Sequence, residues 1–152
     1  MDMSESTIKK YLEDLSDADL RLVAVEGMHP IALQLGHLIG SERRMVEMVR
    51  PGASPELPAG FVERHDIKNP PKDDTHFASK DEYLKLWAAQ RVATKKALES
   101  VSDAELDDTR DGKLPTFLPT VAAVFNMAGL HAMNHSGQFV AVRRVLKKPI
   151  VF

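Results

Sequence analysis

The chain contains no cysteine. That absence excludes disulfide frameworks, cysteine zinc sites, thiol nucleophiles and iron–sulfur ligation, so any metal must be held by His, Asp or Glu. Aromatic residues are scarce, 6% of the chain with a single Trp. A surplus of one charge is missing too, because 20 Lys and Arg stand against 22 Asp and Glu. Such a balance provides no electrostatic footprint for nucleic acid or for an anionic membrane. No uncharged apolar run reaches the length of a membrane span. The opening Met1-Asp2-Met3-Ser4-Glu5 lacks the basic and apolar regions of a signal peptide. There is no G-x-S-x-G, P-loop or dinucleotide fingerprint to support those catalytic classes. What is present, 43% hydrophobic and 28% charged residues in 152, is the composition of one globular domain and excludes disorder and fibres. The expectation is a single cytoplasmic domain over residues 1–152 that meets a small molecule rather than nucleic acid or a membrane.

Hydrophobic spacing predicts helices. Ile31, Leu35, Leu38, Met45 and Val49 recur at helical intervals, with Glu42 as a polar interruption. Pro30 suits the first helical position and Pro51-Gly52 stops the segment. Ser79-Lys80-Asp81-Glu82 reads as a capping box, followed by Leu84, Trp87, Arg91, Thr94, Leu98 and Val101 at steps of three and four. The most regular segment, about Pro119 to Leu146, carries Val121, Val124, Ala128, His131, His135, Gln138, Val142 and Val145 in one stripe. Arg143, Arg144, Lys147 and Lys148 at its end complement the helix dipole. A shorter helix of about 12 residues, roughly Ser4 to Leu15, opens the chain. With no convincing strand, the predicted fold class is all-α, an antiparallel four-helix bundle with a short first helix. A first helix of that length leaves core uncovered unless a partner subunit or a loop fills it, which favours a dimer.

Two further features organise the chain. Leu15-Ser16-Asp17-Ala18-Asp19-Leu20 is echoed by Val101-Ser102-Asp103-Ala104-Glu105-Leu106, each able to cap a short turn before a helix that contains His. The stretch 50–78 holds five prolines together with His65, Asp66, Asp73, Asp74 and His76. A connection that long is either a functional loop or a solvated one. As a lid it would offer His65, Asp73, Asp74 or His76 as alternative metal ligands.

The chemical signal is the pair His131 and His135. At i, i+4 they point the same way, about 6 Å apart, in the same stripe as the core valines. Neutral imidazoles in an apolar seam need partners for their nitrogens, and a metal ion or other core groups would serve. His37, between Gly36 and Gly40, stands on the shoulder of its helix as the third member. Each mid-helix Gly costs about 1 kcal/mol relative to Ala, and close helix approach is the expected reason for both. His29-Pro30 at the helix entry reads as a turn or cap histidine. Three imidazoles from two helices form the ligand set of a catalytic zinc-type site, and imidazole also suits Ni, Cu and Fe. Gln34, Glu42, Asn134 and Gln138 lie within about a turn of these histidines and are the candidate acceptors or substrate contacts. No catalytic acid or base is assigned.

Leu35-Gly36-His37-Leu38 with Ser41-Glu42, and downstream His131-Ala132-Met133-Asn134-His135-Ser136-Gly137-Gln138, resemble the two signatures of the DinB/YfiT-like superfamily. The resemblance covers about Tyr11 to Leu146. It implies a four-helix bundle, often a homodimer, in which His37, His131 and His135 bind a divalent metal, commonly Zn or Ni. Some members are metal-dependent transferases or isomerases that use a low-molecular-weight thiol, among them mycothiol-dependent maleylpyruvate isomerase and bacillithiol transferases. A chain without cysteine would take such a thiol as a soluble cosubstrate. The resemblance thus implies a thiol-dependent S-transferase, isomerase or hydrolase. The alternative is a non-catalytic metal- or ligand-binding bundle, a sensor or stress-related binding protein. The short first helix departs from the family pattern.

Overall fold

The computed structural model describes residues 1–151; Phe152, the last residue of the expected domain, lies outside the described residues. Four long helices, α1 (Asp2–Leu12), α3 (Ile31–Val49), α5 (Lys80–Glu99) and α7 (Val121–Val145), form a bundle. Short helices α2 (Asp17–Arg21), α4 (Phe61–Arg64) and α6 (Asp103–Leu106) punctuate the connections. There is no strand among the described residues. No helix among them is long and apolar enough to cross a membrane.

Local chemistry sets these boundaries. Ser79 caps α5 through a complete capping box with Glu82. The echoed Leu-Ser-Asp-Ala and Val-Ser-Asp-Ala segments both become capped short helices, with boxes Ser16–Asp19 and Ser102–Glu105. Each such cap contributes about 1 kcal/mol. Pro30 takes the cap position of α3, one residue ahead of the expected site. Extended backbone there suits a residue that has no N–H to donate. Gly60, at φ 69°, makes the left-handed turn that starts α4.

α3 packs against α5 and α7, and α7 against α1. Thr94 of α5 donates to Glu42 in the middle of α3, and Arg50 after α3 donates to the carbonyl of Ser100 after α5. These two helices therefore run in the same direction. Tyr11 and Arg143 meet at the late ends of α1 and α7, which are parallel for the same reason. The antiparallel relation holds for α3 with α7, where His135 reaches Gln34, and for α1 with α5, where Asp2 meets Lys95. Parallel neighbours require a crossover, and residues 50–79 carry the chain back along the bundle.

The apolar interior forms two clusters. One gathers Ile8, Leu12, Leu35, Leu38, Ile39, Tyr83, Trp87 and Phe139. The other gathers Met45, Val46, Val49, Ala97, Leu118, Val121, Val124 and Phe125. Between them, on the middle turns of α3, α5 and α7, sit the buried polar side chains Glu42, Gln90, Arg91, Thr94 and His135. The first turn of α7, where Val121 and Val124 are buried, is covered within the chain. Leu114 and Leu118 pack there, so the segment after α6, rather than the proline-rich connection, fills that space.

Candidate metal centre

His37 on α3 and His131 and His135 on α7 come together. One ring nitrogen from each lies within 4.8 Å of the other two. Ring centroids are 5.1 Å apart for His37–His131, 5.4 Å for His37–His135 and 4.7 Å for His131–His135. The two α7 imidazoles face each other through Nε2 atoms 3.1 Å apart. Two imidazoles on one ion at Zn–N distances of about 2.05 Å would hold their nitrogens about 2.9–3.4 Å apart at right-angled to tetrahedral geometry. The three-imidazole donor set and the 3.1 Å spacing of the α7 pair therefore fit a divalent ion.

The far side of His135 is fixed. Its Nδ1–H donates to Gln34 Oε1 at 2.9 Å, while the Gln34 amide donates to the His29 carbonyl at 2.8 Å. Gln34 is thus oriented by backbone and in turn selects the tautomer that leaves His135 Nε2 with a free lone pair. His29 contributes its carbonyl at the entry to α3. Burial lowers all three imidazole pKa values, and the repulsion that two protonated rings would exert on each other helps push His37 and His135 down to about 4. All three are neutral at pH 7, the protonation state a metal ligand requires.

Among the described residues no hydrogen bond ties the remaining sequence candidates to the three histidines. Glu42 is buried against α5: Thr94 Oγ1 donates to it at 2.6 Å, and Arg91 Nε lies 3.1 Å from its other oxygen. Five residues along a helix turn the side chain by about 140°, so Glu42 and His37 face different neighbours. Asn134 is exposed, and Gln138 is half-buried on the turn after His135. His65, which follows α4, is buried against α3, its Nδ1–H donating to the Phe61 carbonyl at 2.7 Å and its Nε2 accepting from the Tyr83 hydroxyl at 2.6 Å. Its ring lies against Gly36, where a Cβ would come within 2.0 Å of it. Gly36 therefore admits a histidine ring, and Gly40 faces Val62 of α4. Both glycines serve the crossover segment rather than a neighbouring long helix. Asp73, Asp74 and His76 are exposed, and the Asp73 carboxylate accepts from the Thr75 amide and hydroxyl.

A pocket of about 520 Å³ opens beside His37 and His131. Its walls include Arg44, Met45, Met48, Phe117, Leu118 and Met127. Residues 115–118, rather than 50–78, supply its outer edge. Arg44 and Phe117 escaped the sequence reading. His37, Ser41, Arg44 and Met48 follow one another at steps of four, three and four, a stripe that would have marked Arg44. Phe117 sits in a loop and has no periodic signature.

With the bundle and the histidine cluster in place, comparison with known proteins is decisive for the family. A family model described as the DinB superfamily matches residues 1–139. The chain belongs to the DinB superfamily. No curated protein matches it. It is similar to a solved structure described as the conserved protein of locus from Enterococcus faecalis, with a TM-score of 0.71 and 19% identity. That match covers 97% of this chain and 93% of the other, and at this identity it shows the shared fold alone. The match to the DinB superfamily model extends through both α7 histidines and ends at Phe139.

Proposed function

We propose that this DinB superfamily chain is a divalent-metal-dependent enzyme, with His37, His131 and His135 as the ligands and zinc or nickel as the metal. The observation that carries this reading is the convergence of three neutral ring nitrogens beside an open pocket. Among the described residues no carboxylate or fourth imidazole joins the group, and a three-ligand set with an open side is the pattern of catalytic rather than structural sites. When bound, such an ion supplies Lewis acidity and lowers the pKa of a water or thiol. The chain's own part is to hold the imidazoles neutral, to lock His135 through Gln34 and to present an apolar wall that limits water. The reaction class proposed is thiol-dependent S-transfer or isomerisation, with hydrolysis as the other member of the same class of sites. The thiol comes from a low-molecular-weight cosubstrate, since the chain has no cysteine. The proposal includes a single domain and a homodimer. Exposed Met3, Leu130 and Met133 around one groove on α1 and α7 support the dimer.

The test is elemental analysis of protein purified without a metal-affinity column, wild type beside His131→Ala. About one zinc or nickel per chain in the wild type, lost in the variant, is the expected outcome. Absence of metal in both, with no thermal stabilisation by added zinc or nickel, overturns the enzyme reading. A stoichiometric metal without turnover of any thiol or ester substrate would instead favour a binding module.

A further inference from the structure

The pocket beside the histidines has a composition of its own. Apart from His37, Ser41, Arg44 and His131, its lining is apolar, with three methionines, Met45, Met48 and Met127, and the ring of Phe117. Methionine is unbranched and polarisable and adapts to irregular apolar shapes. Phe117 is 70% exposed although it borders this cavity. A large aromatic left in water at the mouth of an apolar pocket is a contact surface awaiting a ligand. The volume, about 520 Å³, is within the range of pockets that hold small organic molecules.

Arg44 sets the charge of this pocket. Arg43 donates to the Pro55 carbonyl, Arg50 to Glu105, Arg64 to the Ala59 carbonyl and Arg143 to Asp14. Arg44, by contrast, has no carboxylate or carbonyl partner among the described residues. No Asp or Glu lines the pocket with it. A planar guanidinium with its donors free is suited to a carboxylate, which it can hold through two parallel hydrogen bonds. Arg44 is exposed at the edge of the pocket; an apolar cation would meet repulsion from it, and a neutral apolar molecule would gain nothing from its charge.

We propose that this pocket binds a small amphiphilic carboxylate, its apolar body lying on the methionines and Phe117 and its anionic end on Arg44. The inference rests on the reading of this face as the substrate side of a metal centre, and it names the substrate class. It makes Arg44 a specificity-determining residue.

The experiment is isothermal titration calorimetry with 4-phenylbutanoate and its neutral isostere 4-phenylbutanamide, on zinc-loaded and metal-free wild type and on Arg44→Gln, Arg44→Lys and Phe117→Ala. Wild type is expected to prefer the carboxylate by about two- to fivefold, the size of an ion pair at an exposed arginine. Arg44→Gln should abolish the preference and Arg44→Lys restore part of it. Phe117→Ala should weaken both probes alike. Persistence of the preference in metal-free wild type and its loss in Arg44→Gln would support the inference even if the native protein proved to hold no metal. A preference that needs zinc and survives Arg44→Gln would assign the carboxylate to the metal and overturn the role of Arg44, leaving the metal centre intact. Equal binding of both probes, or binding of neither, overturns the proposal.

Discussion

His65 and His135 are nearly equally buried, 2% and 7% exposed, and burial holds both neutral, yet their ring nitrogens have opposite fates. Both nitrogens of His65 are consumed by the protein, one by the Phe61 carbonyl and one by the Tyr83 hydroxyl. His135 gives one nitrogen to Gln34 and turns the other toward another imidazole at the edge of a cavity. The first arrangement is a finished core interaction. The second gathers lone pairs that a cation would satisfy together. Burial and a depressed pKa therefore do not distinguish a structural histidine from a ligand. The destination of the second nitrogen does.

The broadest way to sharpen this contrast is pH. With His37 and His135 titrating near 4 in the folded chain against an ordinary 6.5, the unfolded chain takes up protons that the folded chain refuses as pH falls between those values. Stability of the metal-free protein should be complete above pH 6.5 and decline toward pH 4. Zinc should delay that decline, because ligated imidazoles resist protonation. Urea midpoints at pH 7.5, 5.5 and 4.5, with and without zinc, read both effects. Identical pH curves in the two series would count against ligation.

Gly36→Ala should come next. A Cβ at that position meets the doubly hydrogen-bonded His65 ring at 2.0–2.1 Å, so the ring must move and its bonds weaken. Overpacking of this kind costs about 1–3 kcal/mol, more than the roughly 1 kcal/mol gained in helix propensity when hydrogen-bond losses are added. Chemical denaturation should show net destabilisation with the zinc content unchanged, and a stabilised variant would remove His65 from its place against α3. Gln34→Leu should act on the other histidine site. Loss of the acceptor for His135 Nδ1 is expected to weaken metal binding about 10–100-fold, as measured by competition with a chelator. Tyr83→Phe should be the mildest, about 1 kcal/mol in unfolding free energy for one lost hydroxyl bond to His65, with unaltered metal affinity. If Tyr83→Phe instead altered metal affinity, the two histidine sites would be coupled and the contrast between them would collapse.

Much of the fold was legible because it is periodic. The stripes of α3, α5 and α7 and the capping boxes at Ser16, Ser79 and Ser102 are local patterns that need no knowledge of the partner. His131 and His135 were legible for the same reason, since one helix places both. The relation of Gly36 to His65 was not, because the ring arrives from an aperiodic segment 29 positions downstream. Glu42 is near the histidines in sequence, whereas helical rotation gives it to Arg91 and Thr94. Arg44 shares a helical stripe with His37, Ser41 and Met48, but its use as a pocket residue shows only once the cavity beside it is formed.

The contact between Gln34 and His135 spans 101 residues of sequence. Closing so long a loop is entropically late, and the histidine cluster exists only once α3 and α7 have docked. A metal at this position would therefore contribute little to the folding transition state and act mainly on the way out. Zinc should leave the refolding rate almost unchanged while slowing unfolding, turning occupancy of the site into the lifetime of the folded chain.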